Sequence, residues 1–329
     1  MTSTRILIAP DSFKGTMTAT VVAEALAAGV RDAGGTPDLC PVADGGEGTL
    51  EALSSALRGR FVELQATAPD GHQLTAHYFL TEDGVTAVVE TATASGLHLV
   101  DVSTVDAWAA TSAGTGQLIA AAVAAGATDI LLGVGGSGCT DGGLGAVAAI
   151  EAGGGLGRAT LTVLCDVVTP YENAARVFGP QKGADPAMVE RLTARLNDTA
   201  ARMPRDPRGV PRTGAAGGLA GGLWATYGAE LVSGIDAVLE RQRVRERLQQ
   251  VDAVFTGEGK LDAQTVDGKV IDGVTRWAAK AGRPVFAVVG RNDASSEVLA
   301  KLGIAEVLEA GDPAALRHAG ALLTRRLGQ

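Results

Sequence analysis

The two ends of the chain alternate short apolar strands, polar turns and amphipathic helices, and this alternation constrains the fold more than any other feature. Near the start, RILIAP runs into DSFKGT and then into a helix that Thr16 or Thr18 can cap. Near the end, VDAVFTG, PVFAVVG and AEVLEA are each followed by a helical pattern. Strands that alternate with helices in this way build a parallel sheet covered on both faces. We therefore predict an α/β fold with a doubly wound parallel sheet.

The middle of the chain interrupts this alternation. Residues 61–90, FVELQATAPDGHQLTAHYFLTEDGVTAVVE, alternate apolar and polar side chains around two turn signals, which predicts an antiparallel meander. Strand–helix units then return, beginning with TSAGTGQLIAAAVAAGA and DILLGVG. The predicted domains are therefore 1–60 with 245–329, and an inserted α/β domain at 61–244. We expect the ligand site in the cleft between these domains.

Composition excludes several classes of function. The 329 residues carry a net charge of −9 and 4% aromatic residues, a poor match to a surface that binds nucleic acid. No apolar run reaches the about 18 residues of a membrane-spanning helix, and no signal peptide is evident, so we predict a cytoplasmic protein. The three cysteines form no C-x-x-C pair, which indicates neither a disulfide framework nor a zinc site. The basic stretch RQRVRERL near residue 241 is interpreted as a solvated helix face.

A glycine-rich stretch, LLGVGGSGCTDGGLG at 131–145, continues from a predicted strand. Its GVGGSG segment formally matches the dinucleotide pattern G-x-G-x-x-G, but the ribose-binding acid expected about 20 residues later is missing. Ser137, Thr140 and Asp141 follow the glycines, and hydroxyls with an acid at a helix start suit phosphate and Mg²⁺ better than nicotinamide. The alternative is a glycine-rich turn whose helix is capped by Asp141. Cys139 is interpreted as a packed thiol, because no histidine lies nearby in the sequence to activate it.

Acidic side chains recur in the turns that follow predicted strands, and lysines recur in or beside the glycine-containing loops. The acids are Asp44, Glu47, Asp141, Asp166, Glu258 and Asp262, and the lysines are Lys14, Lys182, Lys260 and Lys269. Carboxylates that can hold a metal ion, together with lysines that can neutralise phosphate, indicate phosphoryl transfer. The sequence contains no Walker A pattern and no protein-kinase signature, so any kinase activity must use another scaffold.

Seven motifs occur in order along nearly the whole chain. They are APDSFKGT (9–16), PVADGGEGT (41–49), GVGGSGCTDGG (133–143), LCDV (164–167), FGPQKGA (178–184), GAAGGLAGGL (214–223) and TGEGKLDAQT (256–265). In these motifs the chain resembles the type I glycerate kinases. The resemblance implies ATP-dependent phosphorylation of D-glycerate with Mg²⁺, in a cleft between a flavodoxin-like α/β domain and a second α/β domain inserted into it.

Roles for the site residues follow as hypotheses. Phosphoryl transfer needs positioning, charge neutralisation and a group that accepts the hydroxyl proton. We predict that Asp44 orients the glycerate hydroxyl or accepts its proton, that Lys14 offsets charge on the carboxylate or the γ-phosphate, and that Asp141 also belongs to the catalytic set. The predicted substrate-binding residues are Asp11, Ser12, Lys14, Glu47 and Lys260. The predicted nucleotide-binding residues are Gly135, Gly136, Ser137, Gly138, Thr140, Glu258, Asp262 and Lys269, and the predicted Mg²⁺ ligands are Asp141 and Asp166.

Two alternative functions and several open points remain at this stage. A nicotinamide-dependent oxidoreductase would explain GVGGSG but would leave the lysine and acid loops without a role. A non-catalytic small-molecule binding protein would not need so many acids near one site.

The expected partners are small molecules, D-glycerate and ATP, with no nucleic acid and no membrane. We favour 2-phosphoglycerate over 3-phosphoglycerate as the product. The sequence does not determine whether the protein is a homodimer, and the loop at 202–212 has no assigned role.

Overall fold

The computed structural model describes residues 3–262 and 270–328. The strands are β1 (Arg5–Pro10), β2 (Thr36–Leu39), β3 (Gly59–Thr67), β4 (Gln73–Thr81), β5 (Thr86–Glu90), β6 (Asp129–Gly133), β7 (Thr160–Leu164), β8 (Glu230–Val232), β9 (Ala253–Gly257), β10 (Lys260–Leu261), β11 (Val285–Val289), β12 (Arg291–Asn292) and β13 (Ile304–Glu309). The helices are α1 (Ala19–Asp32), α2 (Thr49–Ala56), α3 (Ala92–Ser95), α4 (Ala113–Ala124), α5 (Leu144–Ala152), α6 (Ala174–Phe178), α7 (Pro186–Ala200), α8 (Leu219–Tyr227), α9 (Gly234–Arg241), α10 (Val244–Leu248), α11 (Val270–Lys280), α12 (Ser296–Leu302) and α13 (Pro313–Leu327). Lys269, a predicted nucleotide-binding residue, lies outside the described residues.

The chain separates into two compact units. Met1–Asp44, Glu51–Ala56 and Ile235–Gln329 form the first unit, and Gly45–Leu50 with Leu57–Gly234 form the second. The predicted domain boundaries, 1–60 with 245–329 and 61–244, stay a prediction.

The first unit contains a five-stranded parallel sheet in the order β2-β1-β9-β11-β13. Within this unit the order corresponds to 2-1-3-4-5, the flavodoxin-like arrangement of a doubly wound sheet. The predicted parallel strands near the carboxyl end of the chain are therefore confirmed, and so is the fold class. Thr18 caps α1 by accepting a hydrogen bond from the Val21 amide, in agreement with one of the two predicted caps.

Helices cover both faces of this sheet. On one face, Ile6 and Ile8 of β1 pack with Leu26 of α1 and Leu323 of α13. On the other face, side chains of β11 pack with α11 and α12. Strands that are buried on both faces read as continuous apolar runs, which is why RILIAP and PVFAVVG show no alternation.

The second unit contains a six-stranded mixed sheet in the order β3-β4-β5-β6-β7-β8. The β3–β4 and β4–β5 pairs are antiparallel, which confirms the predicted meander, and the pairs from β5 to β8 are parallel. Register places Glu90, Gly133 and Leu164 level with one another at the carboxyl ends of β5, β6 and β7. Leu118 and Ile119 of α4, together with Leu219 and Leu223 of α8, belong to the core built on this sheet.

No helix in the described part of the chain is both long enough and apolar enough to span a membrane.

Candidate functional site

The first unit brings acidic residues together at the carboxyl edge of its sheet. β1 and β9 are neighbours whose register ends with Pro10 opposite Gly257, so Asp11 and Glu258 follow side by side. A hydrogen bond of 2.8 Å from the Asp11 amide to the Gly257 carbonyl holds this arrangement. In the order 2-1-3-4-5, this pair of strands is the switch point at which doubly wound sheets bind ligands. The structure therefore places two predicted site residues where this fold binds its ligands.

Asp11 has an unusual electrostatic environment. The side chain is 7% exposed, and burial raises its pKa to about 7, with further upward contributions from Asp44 and Glu258. The Ser12 amide donates to Asp11 Oδ1 at 2.7 Å and, with the charge of Lys14, opposes this rise in pKa. A carboxyl group that titrates near neutrality can take up and release a proton at working pH. We predicted Asp11 as a substrate-binding residue, and its environment also suits proton transfer.

The loop that carries Asp44 is fixed by a residue that the sequence analysis did not single out. The Gln242 side-chain amide donates to the Pro41 carbonyl at 2.5 Å, and the Cys40 thiol donates to Gln242 Oε1 at 3.2 Å. The Val42 amide donates to the Pro10 carbonyl at 3.0 Å, which ties the loop to the end of β1. Gln242 belongs to the RQRVRERL stretch that we interpreted as solvated, and it is buried. The available signal was that Gln242 is the one uncharged polar residue in this charged run.

Two other predicted residues of the first unit bind each other. Lys260 Nζ lies 3.2 Å from Asp262 and 3.3 Å from Asp293, and hydrogen bonds to these acids raise the lysine pKa. Lys260, a predicted substrate-binding residue, is therefore engaged by two carboxylates. Because Lys260 is exposed, its two ion pairs contribute little to the stability of the fold.

In the second unit the glycine motifs meet backbone to backbone. The Gly135 amide donates to the Gly45 carbonyl at 3.1 Å. A Cβ on Gly135 would lie 2.3 Å from Gly46 Cα, and one on Gly45 would lie 2.3 Å from the Leu164 carbonyl oxygen. The DGGEG turn therefore packs against the ends of both β6 and β7 at a distance that no side chain permits. Glu47 of this turn, a predicted substrate-binding residue, is exposed.

Glu90 completes the DGGEG turn. Its carboxylate accepts hydrogen bonds from the Gly48 amide at 3.2 Å and the Leu50 amide at 2.9 Å, at the beginning of α2. Amides in the first turn of a helix lack partners within the helix, and a carboxylate there is favourable. Glu90 therefore stabilises the turn.

The GVGGSG turn is anchored to the segment after β5, which changes one prediction. The Gly138 amide donates to the Ser95 carbonyl at 2.8 Å, and the Leu97 amide donates to the Gly136 carbonyl at 2.7 Å. Gly135 and Gly138, two predicted nucleotide-binding residues, therefore cannot offer these amides to phosphate, because protein carbonyls already accept from both. Gly136 has a left-handed backbone, and Ser137 is buried.

Two cations hold the carbonyls of this turn. Lys182 is 3% exposed, and its Nζ donates to Ser137 Oγ at 2.8 Å and to the Cys139 carbonyl at 2.6 Å. Burial lowers the pKa of Lys182 to about 8. Arg195 Nη2 donates to the Thr140 carbonyl at 2.7 Å. Our site prediction omitted both residues. The FGPQKGA motif was a signal for Lys182, whereas Arg195 lies in a helix without one.

Asp141 is a structural cap in this arrangement. Its Oδ2 accepts from the Ser112 amide at 2.8 Å, from Ser112 Oγ at 2.8 Å and from the Gly145 amide at 3.1 Å. Its Oδ1 accepts from the Gly143 amide at 3.0 Å. These donors lie at the beginnings of α4 and α5, where a negative charge is favourable. The contacts of Asp141 are therefore those of a helix cap, which was the alternative interpretation of this residue. Cys139 is buried as predicted, and burial raises its pKa.

The donor set does not fit a ready-made metal centre. Within residues 3–262 and 270–328, no three His, Cys, Asp or Glu side chains are grouped so that they could hold a metal ion. A cation on Asp141 would have to displace hydrogen-bond donors from a carboxylate that is 8% exposed. Asp166 Oδ1 accepts from the Gly234 amide at 2.8 Å. The metal roles of Asp141 and Asp166 stay predictions, and the contacts of Asp141 argue against its role.

Comparison with known proteins gives a consistent result. Residues 6–154 and 151–325 match the model of the glycerate kinase family. A protein named glycerate kinase from Haemophilus influenzae is 37% identical over 87% of this chain and 85% of its own length. One named glycerate 2-kinase from Escherichia coli K12 is 38% identical over the same shares. A Bacillus subtilis glycerate kinase is 38% identical, covering 91% of this chain and 88% of that protein.

A solved crystal structure is similar along the whole chain. The protein, described as a glycerate kinase 2 from Salmonella typhimurium LT2, superposes with a TM-score of 0.87 at 34% identity. The match covers 99% of both chains. The similarity therefore includes both units of the fold.

Proposed function

The chain belongs to the glycerate kinase family, and we propose that it transfers the γ-phosphoryl group of ATP to the 2-hydroxyl group of D-glycerate. Membership of this family makes the chain a kinase that phosphorylates glycerate with ATP. The choice of the 2-hydroxyl is supported by the Escherichia coli relative, whose name specifies that position. The nicotinamide-dependent alternative is not favoured, since it has no support among the matched proteins.

The observation that carries the proposed mechanism is the buried carboxyl group of Asp11 beside Asp44, Glu258 and Lys14. In phosphoryl transfer the hydroxyl oxygen attacks the γ-phosphorus, the bond to the leaving ADP oxygen breaks, and the hydroxyl proton needs an acceptor. A pKa of about 7 suits Asp11 to accept that proton. Asp44 then has the other role we predicted for it, which is to orient the hydroxyl group.

Lys14 supplies the positive charge in this group. It is exposed in the tight turn from Phe13 to Met17, where the Phe13 amide donates to the Met17 carbonyl at 2.9 Å. The hydrogen-bonded turn fixes the backbone of Lys14, while its long, exposed side chain can reach a small anionic substrate. We propose that Lys14 neutralises the carboxylate of glycerate or the transferring phosphoryl group.

The nucleotide is assigned to the glycine turns of the second unit. Gly136, Ser137 and Thr140 remain the proposed phosphate contacts there, since the amides of Gly135 and Gly138 already have carbonyl acceptors. Magnesium, when bound, would neutralise charge on the phosphates, and it is commonly held by substrate phosphates with one or two carboxylates. Within the described residues, the predicted ligands Asp141 and Asp166 do not form a ready-made site for it.

An ADP-release assay tests the proposed activity. We expect ATP-dependent ADP release with D-glycerate and much slower release with L-glycerate or hydroxypyruvate, which has no hydroxyl at that carbon. Asp11→Asn and Asp44→Asn should both reduce turnover. Absence of ADP release with D-glycerate, in a folded preparation supplied with Mg²⁺, would refute the proposal.

A further inference from the structure

Arg212, in the loop at 202–212 that had no assigned role, has a strained backbone. Its φ angle is +73°, in the left-handed region that residues with a side chain rarely adopt. The strain is held in place from both sides, because the Arg212 amide donates to the Val168 carbonyl at 3.3 Å and the Gly214 amide donates to the Thr169 carbonyl at 2.9 Å. Strain of this kind persists where the surrounding structure enforces it and is concentrated at functional sites.

Thr213, the residue after Arg212, is buried and its hydroxyl group is fully hydrogen-bonded. Thr213 Oγ1 lies 2.9 Å from the Pro207 carbonyl and 2.6 Å from the Val210 carbonyl, and it accepts from the Tyr171 amide at 3.0 Å. The loop therefore folds back on itself immediately before Arg212. These hydrogen bonds fix the backbone position from which the Arg212 side chain extends.

The guanidinium group of Arg212 is only partly satisfied by protein atoms. Nη1 donates to the Cys165 carbonyl, just beyond the end of β7. Among residues 3–262 and 270–328, no carboxylate lies within ion-pair distance of the guanidinium. Arginine carries five N–H donors in a planar fork, so donors remain for a ligand. A half-buried cation in this state favours an anionic partner.

Two other arginines of the same loop show the contrast. Arg208 is paired with Asp206, with contacts of 2.6 to 3.1 Å, and Arg205 lies 3.5 Å above the ring of Trp224. Both have partners within the protein, and neither has a left-handed backbone. Arg212 alone among these three combines enforced strain with a guanidinium that has no charged partner in the described structure.

The anchor point of Arg212 lies next to a predicted site residue. Cys165 precedes Asp166, a predicted site residue, and the charges of both Arg212 and Asp166 act on the Cys165 thiol. The DGGEG turn reaches the same strand end, because a Cβ on Gly45 would lie 3.1 Å from the Cys165 amide nitrogen. The carboxyl ends of parallel strands are where ligands bind in α/β sheets.

From these contacts we infer that Arg212 is an anion-binding residue of the enzyme, whose guanidinium fork takes an oxyanion group of one of its two substrates. The inference rests on the proposed function, since glycerate offers a carboxylate and ATP offers phosphates. Arginine recognises both groups through paired N–H···O bonds. The KM values for D-glycerate and ATP distinguish the carboxylate of glycerate from the phosphates of ATP as the bound group.

Arg212→Gly is the informative variant, because glycine adopts the left-handed backbone without strain. We expect a melting temperature within about 5 °C of the native protein, since relief of strain offsets the lost bond to Cys165. The matched control is Arg208→Ala, which removes a paired surface arginine of the same loop. The KM values for D-glycerate and ATP and the kcat are measured for all three proteins, with and without added guanidinium ion.

The expected result is an increase in one KM of about tenfold to a hundredfold in Arg212→Gly and no change in the control. An increase confined to glycerate assigns the carboxylate, and one confined to ATP assigns the phosphates. A fall in kcat that guanidinium partly restores also supports a direct charge role. Unchanged kinetics, or a loss that guanidinium does not restore while both KM values stay constant, would overturn the inference.

Binding measurements keep this test separate from the proposed function. Calorimetric titration of D-glycerate and of ADP is performed on the native protein and on Arg212→Gly. If the native protein binds either ligand but releases no ADP from ATP, the proposed function fails, and the loss of binding in the variant still supports the role of Arg212. Native protein that binds neither ligand contradicts both.

Discussion

Asp11 determines how activity should depend on pH. If Asp11 accepts the hydroxyl proton, it must be ionised in the free enzyme, so kcat/KM should rise with pH through a limb near pH 7. Asp11→Asn keeps an acceptor for the Ser12 amide but removes the base, and we expect a loss of about 10²–10⁴-fold in kcat. Steady-state rates from pH 5 to 9 measure both effects. A variant whose residual activity keeps the same limb would assign the ionisation to another group.

The same carboxyl group should make the protein less stable as pH rises. Its pKa is raised from 3.8 to about 7 on folding, so the unfolded chain loses this proton at a lower pH than the folded chain. The resulting penalty is absent below about pH 4, grows between pH 4 and 7, and is complete above pH 7. We therefore expect Asp11→Asn to be more stable than the native protein at pH 8, by about 2–4 kcal/mol, and equally stable at pH 4. Urea denaturation at both pH values decides this, and a variant that is less stable at pH 8 contradicts the environment described for Asp11.

Asp141 should contribute to stability more than an ordinary helix cap does. It accepts from donors at the beginnings of two helices, whereas Asp185 accepts one bond, of 2.7 Å from Met188, at the beginning of α7. We expect Asp141→Ala to lower the free energy of unfolding by about 3 kcal/mol and the control Asp185→Ala by about 1 kcal/mol. Chemical denaturation in EDTA removes any metal contribution. Equal losses in the two variants would show that the contacts of Asp141 are not the source of its effect.

At the scale of the turns, space rather than backbone conformation requires glycine at Gly135. Neither Gly135 nor Gly311 has a left-handed backbone, but a Cβ would lie 2.3 Å from Gly46 Cα at the first position and would meet nothing within 4 Å at the second. Gly135→Ala should therefore cost about 2–4 kcal/mol of stability, and Gly311→Ala less than about 0.5 kcal/mol. Thermal unfolding of the two variants checks the difference. If Gly135→Ala unfolds at the native temperature, the close packing of the DGGEG and GVGGSG turns is wrong.

Strands and helices were largely predictable because their signals are local. The meander at β3–β5 was evident from its period of two, and the buried strands β1 and β11 from their apolar runs between turns. The partners of the turns were not predictable. DGGEG lies between two predicted elements of the first unit, but Gly45–Leu50 packs with the second, because the packing depends on contacts far apart in sequence.

For the molecule as a whole, the sequence indicated which residues share an edge of a sheet better than it indicated their individual contacts. Acids that follow parallel strands must share an edge of the sheet, so Asp11 and Glu258 could be placed together from topology alone. The contacts of individual side chains could not be predicted, because the partners of Lys260, Lys182 and Asp141 depend on distances in the tertiary structure. A lysine next to a glycine loop looks the same in sequence whether it binds phosphate, like the proposed Lys14, or a neighbouring carboxylate, like Lys260.

The identity of the product tests the central claim most directly. The native protein is incubated with ATP, Mg²⁺ and D-glycerate, and the product is analysed by proton-coupled ³¹P NMR. Phosphorus on the 2-hydroxyl couples to a single CH proton and gives a doublet, and we predict this signal. A triplet would show phosphate on the CH₂ group, which is 3-phosphoglycerate, and would contradict the proposed position of transfer. The absence of any new phosphoester signal would contradict the kinase function itself.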